Sequence, residues 1–262
     1  MHFTKMHGLG NDYLYVYGTP PEDAAELSRR LSDRHTGAGA DGMIFISPSS
    51  SADFSMRIFN ADGSEAKMCG NGIRCVGKYV YEKGYTDRTR LTVDTLSGIK
   101  VLELNVSGGR VRSVTVDMGA ADADEETELE VRGERVVCTP VSVGNPHAVI
   151  FVPDAETVRP EDLGPAVENC GAFPGGVNVE FVQVISENEL RMRVWERGSG
   201  VTMACGTGAC ASTAAAVKKG FCRLGAPVTV RLDGGPLEIT VGENGSVIMT
   251  GPAETVYEGE TV

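Results

Sequence analysis

The sequence is short of positive charge, of long apolar stretches and of paired metal-ligand spacings. Its 262 residues carry 24 Lys and Arg against 36 Asp and Glu, a net charge of −12. That deficit excludes a surface built to hold phosphate backbones, which needs clustered Lys and Arg, so no nucleic-acid partner is expected. No apolar run approaches the roughly 18 residues that would cross a bilayer; Ala148 to Val152 is typical of the longest. The opening MHFTKMHGLGND lacks the charged-then-apolar pattern of a signal peptide. The expectation is a soluble, cytoplasmic protein with no membrane partner.

Cysteine is present but in no structural pattern. The seven cysteines are Cys69, Cys75, Cys138, Cys170, Cys205, Cys210 and Cys222. An odd count without an export signal favours reduced thiols over a disulfide framework. Structural zinc prefers C-x2-C pairs, whereas Cys69 to Cys75 spans C-x5-C and Cys205 to Cys210 spans C-x4-C. The histidines, His2, His7, His35 and His147, include no i, i+4 pair, so no metal site is expected.

What the chain does have is a repeat of domain length. MRIFNADGSEAKMCGNGIRCVGKYVYEKG from Met56 aligns without a gap with MRVWERGSGVTMACGTGACASTAAAVKKG from Met192, an offset of 136. Met56, Arg57, Cys69, Gly70, Gly72, Lys83 and Gly84 all recur in the second copy. The offset also pairs Gly39 with Gly175 and Phe45 with Phe181, while Gly10-Asn11 pairs with Gly144-Asn145 at 134, across a small indel. Each copy reads strand, loop, Cys-Gly-x-Gly, helix, then Lys-Gly. Phe54 to Phe59 and Glu189 to Trp195 have strand composition, and Ile73 to Lys83 and Ala209 to Lys219 favour helix up to a C-cap glycine. Short strand-like stretches punctuated by Gly and Pro fill much of the rest, which predicts a sheet-rich domain around one long helix, occurring twice. The acidic stretch Asp122 to Glu130 reads as a solvated linker or loop near the domain boundary.

A cysteine just before a helix meets the positive end of the helix dipole and first-turn N–H groups able to hold an anion, a setting that favours thiolate. If the duplicated domains face each other, two thiols and two helix N-termini converge on one cleft. That geometry suits inversion of a carbon beside a carboxylate, which needs a base on one face, an acid on the other and donors for the developing charge.

The ordered motifs KMHGLGND from Lys5, GADG from Gly39, RIFNADGSEAKMCGNGIRC from Arg57, GNPHAV from Gly144, NVEFV from Asn178 and WERGSGVTMACGTGACA from Trp195 cover nearly the whole chain. In them the sequence resembles the diaminopimelate epimerases, cofactor-independent enzymes that interconvert LL- and meso-2,6-diaminopimelate on the route to lysine and peptidoglycan precursors. The resemblance implies an α+β fold of two homologous pseudo-twofold domains. Each would be a curved sheet or barrel around a central helix, with the active site in the cleft between them. Residues 1–118 would form the first domain and 119–250 the second, with 251–262 free to pack back on the first.

The resemblance further implies that Cys69 and Cys205 are the acid–base pair, with His147 and Glu196 assisting proton transfer. Asn11, Asn60, Asn145 and Asn178 would contact the substrate, a small molecule. Gly70 with Asn71, and Gly206 with Thr207, would offer donors to the reacting carboxylate, and Glu196 and Arg197 would line the site, the Arg suited to capture of the distal carboxylate. No cofactor is implied, and a homodimer is left open. Two departures stand out. Gly42 occupies a position where some relatives place a substrate-contacting Gln, and Tyr13-Leu14 stands where Phe is common, a change read as one of packing. Proline or hydroxyproline racemase is the competing enzyme, and a redox or zinc-binding module the competing class.

Overall fold

The computed structural model describes residues 1–261. It is a mixed α+β, sheet-dominated protein made of two repeated units. One unit is Met1–Val116 together with the segment from Gly251, and the other is Asp117–Thr250.

In the first, β1 (His2–Gly8) and β2 (Asn11–Tyr17) form a hairpin. After α1 (Ala24–Ser32), β3 (Gly42–Pro48) runs parallel to β2 and antiparallel to β4 (Phe54–Asn60), which carries the two-residue β5 (Glu65–Ala66). The central helix α2 (Gly70–Glu82) follows, then β6 (Arg90–Thr95) parallel to β4, β7 (Gly98–Ser107) and β8 (Arg110–Ala120).

The second unit repeats this order. β9 (Asp122–Ala123) and β10 (Thr127–Val131) each pair with β11 (Glu134–Ser142). β12 (Pro146–Phe151), α3 (Pro160–Glu168), β13 (Asn178–Ser186), β14 (Glu189–Glu196), β15 (Gly200–Val201), α4 (Gly206–Lys218), β16 (Pro227–Leu232), β17 (Gly235–Val241) and β18 (Ser246–Gly251) follow. The last strand, β19 (Glu254–Glu260), pairs antiparallel with β1.

The repeat extends to strand register. Phe45 pairs with Arg57 in the first unit, and Phe181 with Arg193 in the second. Leu14 pairs with Met43, and Ala148 with Val179. The two-residue indel therefore falls between β2 and β3.

The helices α2 and α4 are buried on every face, as a helix wrapped by sheet requires. In α4 the Ala, Ser and Thr side chains let strands approach closely. In α2 the buried Arg74 donates to Gly70 O, Asn71 Oδ1 and Pro252 O, and Lys78 donates to Glu82 and Val111 O, so neither charge lies unsatisfied. Both helices end in a Schellman motif. Gly84 and Gly220, at φ 76° and 75°, follow the C-caps, and the N–H groups of Tyr85 and Phe221 reach back to Val80 O and Ala216 O.

Two expectations are corrected. The helices begin at Gly70 and Gly206, three residues before the predicted Ile73 and Ala209, because each cysteine caps a first turn that glycine propensity alone disfavours. The acidic stretch 122–130 is not a loop throughout. Thr127–Val131 is a strand whose Leu129 and Val131 point into the core, and its alternation of acidic and apolar residues is what a half-exposed strand shows.

Candidate active site

Helix N-caps are usually Ser, Thr, Asp or Asn, whose side-chain oxygens accept a first-turn N–H. Here Cys69 and Cys205 fill that position on α2 and α4 with extended backbones. Each sulfur accepts a hydrogen bond three residues on, from Gly72 N and Gly208 N, both at 3.3 Å. The first turn of a helix leaves its N–H groups without intrahelical acceptors, and Gly70 with Asn71, and Gly206 with Thr207, occupy those turns.

Around Cys69 the structure brings together Asn11, Asp41 and Tyr13. The thiol donates to Asn11 Oδ1 at 3.3 Å, and Asn11 Nδ2 donates to Asp41 Oδ2 at 2.8 Å. Tyr13 is buried and its phenol lies in electrostatic reach of Asn11 and Cys69, so the side chain that stands where Phe is common carries a hydroxyl beside the thiol. Burial, then the nearby Cys69 and Asp41, push the Tyr13 phenol well above its ordinary value. Asp41, which the sequence reading passed over within GADG, is raised by burial and by the neighbouring Asp12. Burial alone would also raise Asp12, but hydrogen bonds from Arg34 and Lys5 hold it below the ordinary carboxylate value. Asn71 Oδ1 accepts from Arg74, while Asn60 donates to Ser64 Oγ within its own turn at 3.1 Å. At Gly42 a Cβ would lie 2.3 Å from Phe59 O and 2.9 Å from both Asn60 Cα and Tyr13 Cε1. No side chain fits there, so a Gln contact would require β3 and β4 to separate.

Around Cys205 the sequence-predicted residues form a chain of contacts. Cys205 Sγ lies 3.6 Å from Thr207 Oγ1, which accepts from Asn145 Nδ2 at 3.3 Å. Asn145 Oδ1 lies 3.1 Å from His147 Nε2, and His147 Nδ1 lies 2.7 Å from Glu180 Oε1. Glu196 accepts from Thr202 Oγ1, and its carboxylate lies in electrostatic reach of Cys205. Asn178 accepts from the backbone N of Arg197 at 2.9 Å and donates to Pro146 O. The exposed Arg197 guanidinium donates to Gly175 O.

A helix start favours thiolate at both cysteines, but at Cys205 burial and nearby carboxylates oppose it. Burial, then the Glu196 and Glu180 carboxylates, push this thiol well above its ordinary value. Glu196 is itself raised, first by burial and also by Glu180. The residue missed here is Glu180, within NVEFV. Its strand is buried on both faces, so no alternation marks which side chains meet chemistry.

Among the described residues no group of three or more His, Cys, Asp or Glu side chains is arranged to hold a metal ion. No helix among them is long and apolar enough to cross a membrane.

The chain matches the family model described as diaminopimelate epimerase twice, over residues 3–123 and 139–256. It is 51% identical to the diaminopimelate epimerase of Phocaeicola vulgatus, with 98% of this chain and 97% of that one covered. It is 53% identical to that of Bacteroides thetaiotaomicron, with the same coverage, and 49% identical to that of Methanococcus maripaludis, with 99% of each covered. Among solved structures it resembles a probable proline racemase from Agrobacterium radiobacter at TM-score 0.77 and 18% identity, covering 100% of this chain and 92% of that one. A phenazine biosynthesis protein of the PhzF family from Bacillus anthracis aligns at TM-score 0.76 and 16% identity, covering 100% and 99%. At such identities these likenesses concern the fold alone.

Proposed function

The chain belongs to the diaminopimelate epimerase family, and from that premise we propose that it epimerises LL-2,6-diaminopimelate to the meso form through Cys69 and Cys205, one acting as base and the other as acid. The observation that carries the two-thiol reading is their equivalence. Each sulfur caps the central helix of its unit and accepts the N–H three residues on, so each stands beside a helix N-terminus suited to a carboxylate.

The α-proton of an amino acid is very weakly acidic, so removing it requires stabilising the negative charge that flows into the carboxylate. The first-turn N–H groups at Gly70 and Asn71, and at Gly206 and Thr207, are the donors for that charge. Asn11, Asn60, Asn145 and Asn178 offer donors and acceptors without fixed charge, which suits a zwitterion. Arg197, its backbone fixed by Asn178 and its guanidinium exposed, takes the distal carboxylate, with Glu196 alongside. Cys205, raised by burial and carboxylates, rests as the thiol and supplies a proton. The chemistry asks for no cofactor, and its place in lysine biosynthesis puts the protein in the cytoplasm.

Wild-type protein given LL-diaminopimelate should form the meso isomer, and proline supplied in parallel should not be racemised. Cys69→Ala and Cys205→Ala should each lose about 10²–10⁴ in rate, the range that one positioned acid or base supplies. Near wild-type turnover in either variant would remove that cysteine from the pair.

A further inference from the structure

Position 180 holds a buried glutamate whose counterpart in the other unit is an isoleucine. At the offset of 136, Ile44 on β3 matches Glu180 on β13. The packing agrees: a methyl on Gly72 would meet Ile44 Cδ1 at 2.7 Å, and one on Gly208 would meet Glu180 Oε1 at 2.8 Å. Both residues are 0% exposed. The fold thus accepts an aliphatic side chain at this place, and nothing in its packing asks for a carboxylate. Burying an ionisable group is costly unless a partner compensates it. Glu180 has to be explained by what it bonds.

It bonds His147, whose counterpart at the offset of 134 is Tyr13. Oε1 and Nδ1 are 2.7 Å apart, and both side chains are 0% exposed. Glu180 Oε2 has no hydrogen-bond partner among the described residues, so the carboxyl is held through the imidazole alone. At the far side of the ring, Nε2 faces Asn145 Oδ1, and Asn145 passes its other end to Thr207 beside Cys205. An amide oxygen only accepts, so Nε2 must carry a hydrogen. A second hydrogen lies between Nδ1 and Oε1, in an imidazolium–carboxylate or an imidazole–carboxylic acid pair. Either way the pair is neutral overall and Nε2 is a fixed donor. The other titratable groups facing this cluster are Glu196 on β14 and Cys205 at the cap of α4.

We propose that Glu180 is a positioning residue. It fixes His147 with Nε2–H aimed at Asn145, and through Asn145 and Thr207 it sets Cys205 for proton transfer. His147 is then an anchored donor, not a base that collects protons. The proposal rests on the reading of Cys205 as an acid–base group.

The test combines ¹⁵N-histidine NMR with kinetics on the intact protein. The wild-type spectrum should show His147 Nε2 protonated, with a strongly hydrogen-bonded proton at Nδ1. Glu180→Gln can still donate to Nδ1 and keep the same tautomer, so it should retain intermediate activity. Glu180→Ile copies the side chain that the other unit already carries. It should fold, release the ring and lose roughly 10–100-fold in kcat with KM much less affected, the scale seen when a partner orienting a functional histidine is removed. A wild-type spectrum with Nε2 bare would overturn the proposal. So would folded Glu180→Ile with kcat within about twofold of wild type, or Glu180→Gln as impaired as Glu180→Ile. Should the Ile variant not fold, the wild-type and Gln spectra decide. Failure of wild-type protein to epimerise LL-diaminopimelate would instead remove the functional reading, and the nitrogen spectra do not depend on that assay.

Discussion

Cys205 sits where two opposing fields meet. A helix N-terminus stabilises a nearby negative charge by about 0.3–1 kcal/mol and at most ~2. Burial opposes so small an effect, and the adjacent Glu196 and Glu180 carboxylates push the same way as burial. Burial wins, and the thiol stays protonated at neutral pH. Glu196 obeys the same balance, raised by burial against the hydrogen bond from Thr202. In the window above its ordinary value of 4.5, the folded state holds a proton that the unfolded state has lost. Stability from this group is therefore full below that value and declines as pH rises toward the folded value. Glu196→Gln removes the titration, so its melting temperature relative to wild type should climb as pH is raised from about 4 toward neutrality. A pH-independent difference in thermal melts would show that Glu196 is not strained in this way. At this scale the cysteines were legible because Cys-Gly-x-Gly occurs twice, whereas Asn11, Asn60, Asn145 and Asn178 entered only through the family resemblance. Asp41 and Glu180 were not legible, since each works by holding another side chain and has no counterpart to mark it.

The capped helices turn the repeat into a measurable contrast. In α2 a methyl at position 72 would press on the free ends of Ile44 and Met56, at 2.7 and 3.2 Å. In α4 a methyl at position 208 would press on Glu180 Oε1 at 2.8 Å and on Cys205 Sγ at 3.2 Å, and that carboxylate is tied to His147. Gly72→Ala should therefore change stability by no more than about 1–3 kcal/mol, since ordinary overpacking is offset by better helix propensity, and keep most activity. Gly208→Ala should lose activity out of proportion to its stability. Chemical denaturation and kcat on both variants check this, and equal kinetic losses would mean that the two caps respond alike. The elements with strong local signals were readable: the central helices from their composition and terminal glycines, β4 and β14 from their repeated Met-Arg. Hidden from such reading was β10, whose acidic residues outweigh its two inward apolar ones. The β1–β19 register has no local signal either, since no local pattern encodes so distant a partner; the resemblance alone offered 251–262 as a segment to pack on the first domain.

Across the whole molecule the duplication carries the order β1–β8 into β11–β18 and is unequal in chemistry. Asn11 and Asn145, and Cys69 and Cys205, keep their type, while Tyr13, Ile44 and Asn60 face His147, Glu180 and Glu196 at the corresponding positions. One unit thus sets its thiol beside Asn11, Tyr13 and Asp41, and the other beside Glu196 and a buried His147–Glu180 pair. A symmetric pair of thiols would share one setting; here the carboxylates of Glu196 and Glu180 bear on Cys205. The consequence can be followed by isotope. If one thiolate takes the α-proton and the opposite thiol delivers another, the hydrogen in the product comes from a group already equilibrated with solvent. In D2O the first meso-diaminopimelate formed from the LL isomer should carry deuterium at the inverted carbon. The recovered LL substrate should stay largely unlabelled, because its face meets only the base that took its own hydrogen. The reverse reaction from the meso isomer should show the same pattern, with label in the LL product. A single base serving both faces would instead return substrate hydrogen to the product or label both isomers together. Mass and NMR analysis at low conversion separates these outcomes, and early product without deuterium would sink the two-thiol assignment, however well each cysteine caps its helix.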